Sequence, residues 1–151
     1  MNNSFKSQLF DEKTFYPTFL QDLYHSKEEV IIESPFITTS RVNQFYTVLN
    51  TLLQNSVKIY IITKAPEQYD NLIMKHQAQI AVHNFECMGV QALLATNNHH
   101  RKLAILDRKI LWEGSLNILS QNNSREIMRR IDSNEVTKEM IKFTKLIKII
   151  S

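Results

Sequence analysis

One cysteine, two glycines, three prolines and a single tryptophan in 151 residues exclude several classes of protein at once. With Cys87 alone, no intrachain disulfide can form and no cysteine-based zinc cluster can assemble. So few glycines and prolines rule out long glycine-rich loops and low-complexity linkers. No run of about 18 apolar residues occurs, and the opening MNNSFKSQLF holds no apolar stretch long enough for a signal peptide. The expectation is a cytoplasmic protein without stable membrane association. What remains is ordinary for a globular chain, 43% hydrophobic and 22% charged. The length suits one domain over residues 1–151, large enough to bury a core without staples, and no internal repeat is visible.

The net charge of +3 conceals an asymmetry. Residues 1–100 carry seven Lys/Arg against nine Asp/Glu, whereas residues 101–151 carry eleven against six, so the C-terminal third is basic by +5. Such a segment suits a polyanion, a nucleic acid or an anionic membrane surface; it is equally what a solvated helical face looks like.

Apolar spacing gives the order of elements. Phe15, Phe19 and Leu23 recur every fourth residue, predicting a helix over 13–26 with Thr14 as its cap and Pro17 in its first turn. EVIIESPF (29–36) and VKIYIIT (57–63) read as strands. Between them Ser40 is placed to cap a helix whose stripe is Val42, Phe45, Tyr46, Leu49, Leu52 and Leu53. Pro66 opens a longer helix expected to end at Gly89. Three short apolar runs follow at 90–95, 102–106 and 109–112, the last two joined tightly at Asp107-Arg108. A final helix after Asp132, with Glu135 completing a capping box, is expected to bury Val136, Met140, Phe143 and Ile147. Alternating strands and helices followed by adjacent strands predict an α/β/α sandwich with a mixed sheet.

Chemistry concentrates in NHHRKLAILDRKILWEGSLNILSQNNSREIMRR, residues 98–130. His100, Lys102 and Asp107 stand as H-x-K-x4-D, and Gly114, Ser115 and Asn117 follow as G-S-x-N. Residues two apart on a strand leave the same face, so an imidazole and an ammonium emerge side by side. Ser115 and Asn117 lie just past the next strand, within reach of the same point. An imidazole with a cation and neutral donors suits phosphoryl transfer: cation and donors neutralise oxygens while the imidazole attacks or moves a proton. His99 and His100 are adjacent on the strand and point to opposite faces, and no carboxylate cluster lies near, so neither metal nor cofactor is expected.

The unbroken H-x-K-x4-D-x6-G-S-x-N string resembles the HKD motif of the phospholipase D superfamily, and IIESPFITTS after the first strand resembles the domain of that family found alone or attached to bacterial helicases. The resemblance implies a metal-independent phosphodiesterase. His100 would be the nucleophile forming a phosphohistidine, and Lys102 and Asn117 would hold phosphate oxygens with help from Ser115. Glu126 would orient the histidine, and Asp107, at an odd spacing from His100, would brace the turn. The family's complete site uses two such motifs. None of His25, His76, His83 and His99 is followed two residues later by lysine, so the second motif is expected from a homodimer partner.

Nucleic acid is the favoured substrate, with Arg101, Arg125, Arg129 and Arg130 as candidate backbone contacts or, on the plainer reading, solvated side chains. A phospholipase or phosphatidyl transferase would need an exposed apolar surface, and no loop of the sequence supplies one. A non-catalytic nucleic-acid-binding subunit of a helicase or restriction system would carry a degraded motif. Trp112, at a strand end, reads as packing rather than a base-stacking platform, and Cys87 as a half-buried thiol.

Overall fold

β-Branched runs build the middle of the sheet. In the computed structural model, which describes residues 6–150, β2 (Glu29–Glu33) is buried at all five positions and lies parallel to β3 (Lys58–Lys64), Val30 opposite Ile59. β4 (Gln91–Ala95) extends this parallel half. On the other side of β2 run β5 (Leu103–Leu106), β6 (Ile110–Gly114) and β7 (Ile127–Asp132), all antiparallel to their neighbours, with β1 (Lys6–Asp11) at the edge. The seven-stranded order is β1-β7-β6-β5-β2-β3-β4, a mixed sheet. Of the domain expected over 1–151, residues 1–5 and 151 lie outside the described residues.

Helices cover the two faces unequally, completing the expected α/β/α sandwich. One face takes α1 (Phe15–Tyr24), α2 (Thr39–Val42), α3 (Tyr46–Gln54) and α4 (Leu72–Met88), whose buried Phe15, Phe19, Leu49 and Phe85, with Phe45 at the start of α3, pack with Val30, Ile32, Ile61 and Trp112. The other takes only α5 (Asn134–Phe143) and the 3-10 turn Leu146–Lys148, over Ile31, Tyr60, Ile105 and Leu111. Each large side chain removed from water contributes roughly 1.5–3 kcal/mol, so the thickly covered face dominates stability.

Several local expectations are corrected. β1 and β7 were missed by the sequence pattern. β1 is almost wholly exposed, and β7 (IMRRID) carries an arginine, Arg130, on its inward face, which breaks the apolar alternation of a strand. The helix expected after Ser40 is two helices. Ser40 lies inside α2, and Thr38 holds the cap position with its hydroxyl accepting instead from the amide of Gln121. Thr14 precedes α1, but its hydroxyl bonds Asp11 rather than the helix. Pro66 opens a short 3-10 turn, and α4 starts later under an Asn71 cap. α4 does end at Gly89, whose φ of 108° is left-handed and suits glycine.

The last helix is capped by Ser133, not Asp132; of its expected buried face Val136 and Met140 pack partly buried against the core, but Phe143 and Ile147 do not. Thr137 and Ile141 are buried, with Leu146 and Ile150 beyond, whereas Phe143 is 83% exposed and Ile147 half exposed. Thr137 tolerates burial because its hydroxyl donates to the carbonyl of Lys109. Lys145, with φ 61°, breaks the helical period before Ile147.

Candidate active site

The carboxyl ends of parallel strands are where an open α/β sheet offers its binding crevice. Residues 98–102 come to that edge. β5 runs opposite to β2, and Leu103 pairs with Glu33, so the segment just before β5 arrives beside the end of β2. The run expected as a strand from Lys102 begins one residue later, although the Lys102 carbonyl still accepts from the Gly114 amide at 3.3 Å. His100 therefore stands outside the ladder, just before β5, and is exposed. Lys102 folds back, its ammonium donating to the His100 carbonyl at 2.7 Å.

The G-S-x-N arm is held largely by its own backbone. A Cβ on Gly114 would stand 2.0 Å from the Ile127 carbonyl oxygen, so only glycine permits β6 to approach β7 this closely. The Ser115 amide donates to that carbonyl at 2.9 Å, and the Ser115 hydroxyl accepts from the Ile127 amide at 3.0 Å. Ser115 thus stitches the strands together. Leu116, Ile118 and Leu119 are buried in the larger core cluster and anchor the loop around Asn117. Tyr16 donates to the Ile118 carbonyl at 2.8 Å, and the Leu119 amide donates to the Ser34 hydroxyl at 3.0 Å. Burial pushes the Tyr16 phenol up to about 12, against the opposing pull of Arg41, whose guanidinium lies 3.7 Å from its ring centroid. Asn117 Oδ1 is buried without a hydrogen-bond partner, as are Arg41 Nε, the Tyr60 hydroxyl and His99 Nε2; being an acceptor it awaits a donor, which leaves the amide nitrogen of Asn117 as its group for an oxygen ligand.

Other sequence candidates are drawn elsewhere. Asp107, the motif residue expected to brace the turn, lies at the far end of β5 and does so. Its carboxylate accepts the backbone amides of Lys27, Glu28 and Glu29 at 2.9, 2.8 and 3.0 Å, clipping the β5–β6 turn to the start of β2. Asp107 and Arg108 both have positive φ, 54° and 52°, as a two-residue hairpin turn requires. The Glu126 carboxylate accepts from Ser124 at 2.6 Å and its amide donates to Glu12; these, not His100, are its described partners. Arg130 is not a solvent-facing contact: it makes a bidentate pair with Asp22 at 2.7 and 2.9 Å. Asp22 also accepts from the indole of the fully buried Trp112, which is packing, as read from the sequence. Arg101 binds Glu33 through two donors. Arg125 and Arg129 are exposed, Arg129 reaching the Ser7 hydroxyl. Cys87 is exposed rather than half-buried.

Sequence reasoning overlooked two things. One is Glu33, a carboxylate with no exposure at the end of an apolar strand, whose charge amid EVIIE was the available signal. Burial raises its pKa, and Arg101 opposes the rise. The same desolvation, with repulsion from Arg101, His100 and Lys102, lowers that of His99. The other is a cleft of about 540 Å³ on the thinly covered face, lined by Lys102, Gly114 and Arg129 and by Leu9, Ile127 and Phe143. The last three are 63%, 61% and 83% exposed, so an apolar surface does border the motif. Among the described residues, no group of three metal-ligating side chains is present, and no helix is long and apolar enough to cross a membrane.

A mixed α/β sheet with an H-x-K segment just before β5 and a G-S-x-N segment at the end of β6 is the arrangement of a phospholipase D-like domain. A family model described as cardiolipin synthase, PLD-like domain, matches residues 19–147, and the chain belongs to this phospholipase D-like phosphodiesterase family. No curated protein sequence matches it. Among solved structures it is similar to NucT from Helicobacter pylori, with a TM-score of 0.71 at 19% identity, covering 94% of each chain. It is similar also to Nuc from Salmonella typhimurium, a phospholipase D family member (TM-score 0.71, 14% identity, 93% of this chain and 91% of that one). Phosphatidylserine synthase from Haemophilus influenzae matches with a TM-score of 0.65 at 14% identity, over 98% of this chain but 40% of its own.

Proposed function

We propose that this chain is a metal-independent nuclease that hydrolyses a phosphodiester of DNA or RNA through a covalent phosphohistidine, in a site shared between two copies. The observation that carries the reading is the intact motif, with His100, Lys102 and Asn117 left for substrate after Gly114, Ser115 and Asp107 have been spent on the fold. The imidazole of one His100 attacks phosphorus, and the bond to the leaving oxygen breaks as the partner subunit's His100 gives that oxygen a proton. Water then attacks the phosphohistidine, giving its proton to the partner's imidazole and releasing the phosphate and free His100. Lys102 moves from the His100 carbonyl to a nonbridging oxygen, and the Asn117 amide takes another. Two copies are needed because one chain supplies one motif. The end-to-end match with chains of equal size supports a one-motif protomer, against a match to under half of the phosphatidylserine synthase.

Nucleic acid is favoured by the exposed cations of the C-terminal third, Lys109, Arg125, Arg129, Lys138, Lys142, Lys145 and Lys148, which remain available after Arg101 and Arg130 are paired internally. A lipid phosphodiester is the second reading, favoured by the exposed Leu9, Ile127 and Phe143 beside the cleft. A helicase or restriction-type partner remains compatible with either. The test is hydrolysis of plasmid, single-stranded DNA, RNA and short-chain phosphatidylcholine by the purified chain in EDTA. Cleavage of nucleic acid with His100→Ala inactive supports the nuclease reading. Turnover of phosphatidylcholine alone transfers the site to lipid, and activity that EDTA abolishes and Mg²⁺ restores overturns the mechanism.

A further inference from the structure

We propose that Glu33 is a positioning residue, acting through Arg101 to hold the segment that presents His100 and Lys102; this rests on the reading of that pair given above. Residues 98–102 have little to fix them. They precede β5, and the Lys102 carbonyl makes their ladder bond to the Gly114 amide. What holds them from below is a carboxylate. Arg101 Nε donates to Glu33 Oε2 at 3.1 Å and Arg101 Nη2 to Oε1 at 2.9 Å. The neighbouring His99 ring is nearly buried, 11% exposed, with Nε2 3.9 Å from the same Oε1.

Strand alternation turns this into a device for aim. Leu103 pairs with Glu33 and leaves the same face, so continuing the alternation of β5 backwards puts the pinned Arg101 on the Glu33 side and His100 on the other. A bidentate guanidinium–carboxylate pair fixes orientation as well as distance, which one lysine–carboxylate contact does not. Glu33 is the last residue of β2 and has no solvent exposure, so its own position is set by the centre of the sheet. The next residue serves the other arm: the Ser34 hydroxyl accepts from Leu119, two positions past Asn117. Consecutive residues at the end of β2 therefore bond the segments that carry the H-x-K and S-x-N arms. Taking a carboxylate fully out of water is costly, and an apolar pair would serve stability as well or better. Aim is the function that only the ion pair supplies.

The experiment replaces the pair by apolar residues of similar size, Glu33→Leu with Arg101→Met, in the full chain. Steady-state kinetics use bis(p-nitrophenyl) phosphate, too small to report a nucleic-acid groove, and amide hydrogen exchange follows residues 98–102. The expected result is a melting temperature at or above that of the parent, kcat lower by about 100-fold with KM within about twofold, and faster exchange confined to 98–102. Arg101→Lys, which keeps the charge and loses the fork, gives the same split if the double variant fails to fold. A folded variant with unchanged kcat and unchanged exchange overturns the proposal. If the parent hydrolyses no phosphodiester, the functional reading fails, and exchange at 98–102 still decides whether Glu33 holds the segment.

Discussion

Arg129 and Arg130 are neighbours in sequence, and their alanine variants should behave as different kinds of mutant. On β7 their side chains leave opposite faces. Arg129 is exposed, whereas Arg130 turns under α1 onto Asp22, the two side chains only 18% and 11% exposed. Exposed pairs contribute at most about 1 kcal/mol, while breaking a fully buried pair costs about 3–5 kcal/mol. This pair lies between those limits, and after Arg130→Ala the Asp22 carboxylate keeps its bond from the Trp112 indole at 2.9 Å. The expected loss is about 2–3 kcal/mol, or roughly 5–10 °C in melting temperature for a chain of this length. Arg129→Ala should cost less than about 0.5 kcal/mol and should instead flatten the salt dependence of nucleic-acid binding, by about 0.7–0.9 in log–log slope for one lost phosphate contact. Urea titration and filter binding over a salt series measure the two effects. A double-mutant cycle with Asp22→Ala should return a coupling of at least about 1 kcal/mol. An Arg130→Ala chain within 0.5 kcal/mol of the parent, or one whose only defect is binding, would refute this account of the pair.

Gly114→Ala forces a methyl onto the Ile127 carbonyl, so β6 and β7 must part; the expected destabilisation is about 3 kcal/mol, with kcat lost in whatever still folds. Retention of the parental melting temperature would show that the strands separate freely. The Tyr16 phenol, raised to about 12 by burial against an unfolded value near 10, gives stability that is whole below pH 10 and is lost as pH climbs through 12. Tyr16→Phe should therefore be less stable than the parent at pH 8, by about 1 kcal/mol for the lost bond to Ile118, yet flatter between pH 10 and 12; parallel curves would contradict the shift. Asp107→Ala strips three backbone amides of their acceptor and should cost about 2–3 kcal/mol while sparing kcat per folded molecule, so a selective loss of kcat would return Asp107 to the chemistry. Mixing equal amounts of parent and His100→Ala chains to full exchange should leave about a quarter of the activity of the same total amount of parent, against about half if each chain works alone.

The sequence determined whatever depends on spacing along one element. Strand runs, the helical stripe of Phe15, Phe19 and Leu23, the Gly89 stop and the mixed α/β class follow from periodicity and turn chemistry, and the motif's two arms follow from a fixed string of residues. It failed where one residue's environment is supplied by a distant one. β7 was unreadable because an arginine fills an inward position, which becomes intelligible once Asp22, 108 residues away, is seen to neutralise it. On α5 the reading found Val136 and Met140 but missed Thr137, because a buried threonine is acceptable only when the Lys109 carbonyl receives its hydroxyl. The same holds at the site. The H-x-K and G-S-x-N strings were legible as a pattern, and so was Asp107 as the brace of the turn, but which arginines are paired and what bonds the segment before β5 were not. Those questions turn on charge pairing and burial between elements, and a buried charge declares its role only through the partner that the fold brings to it.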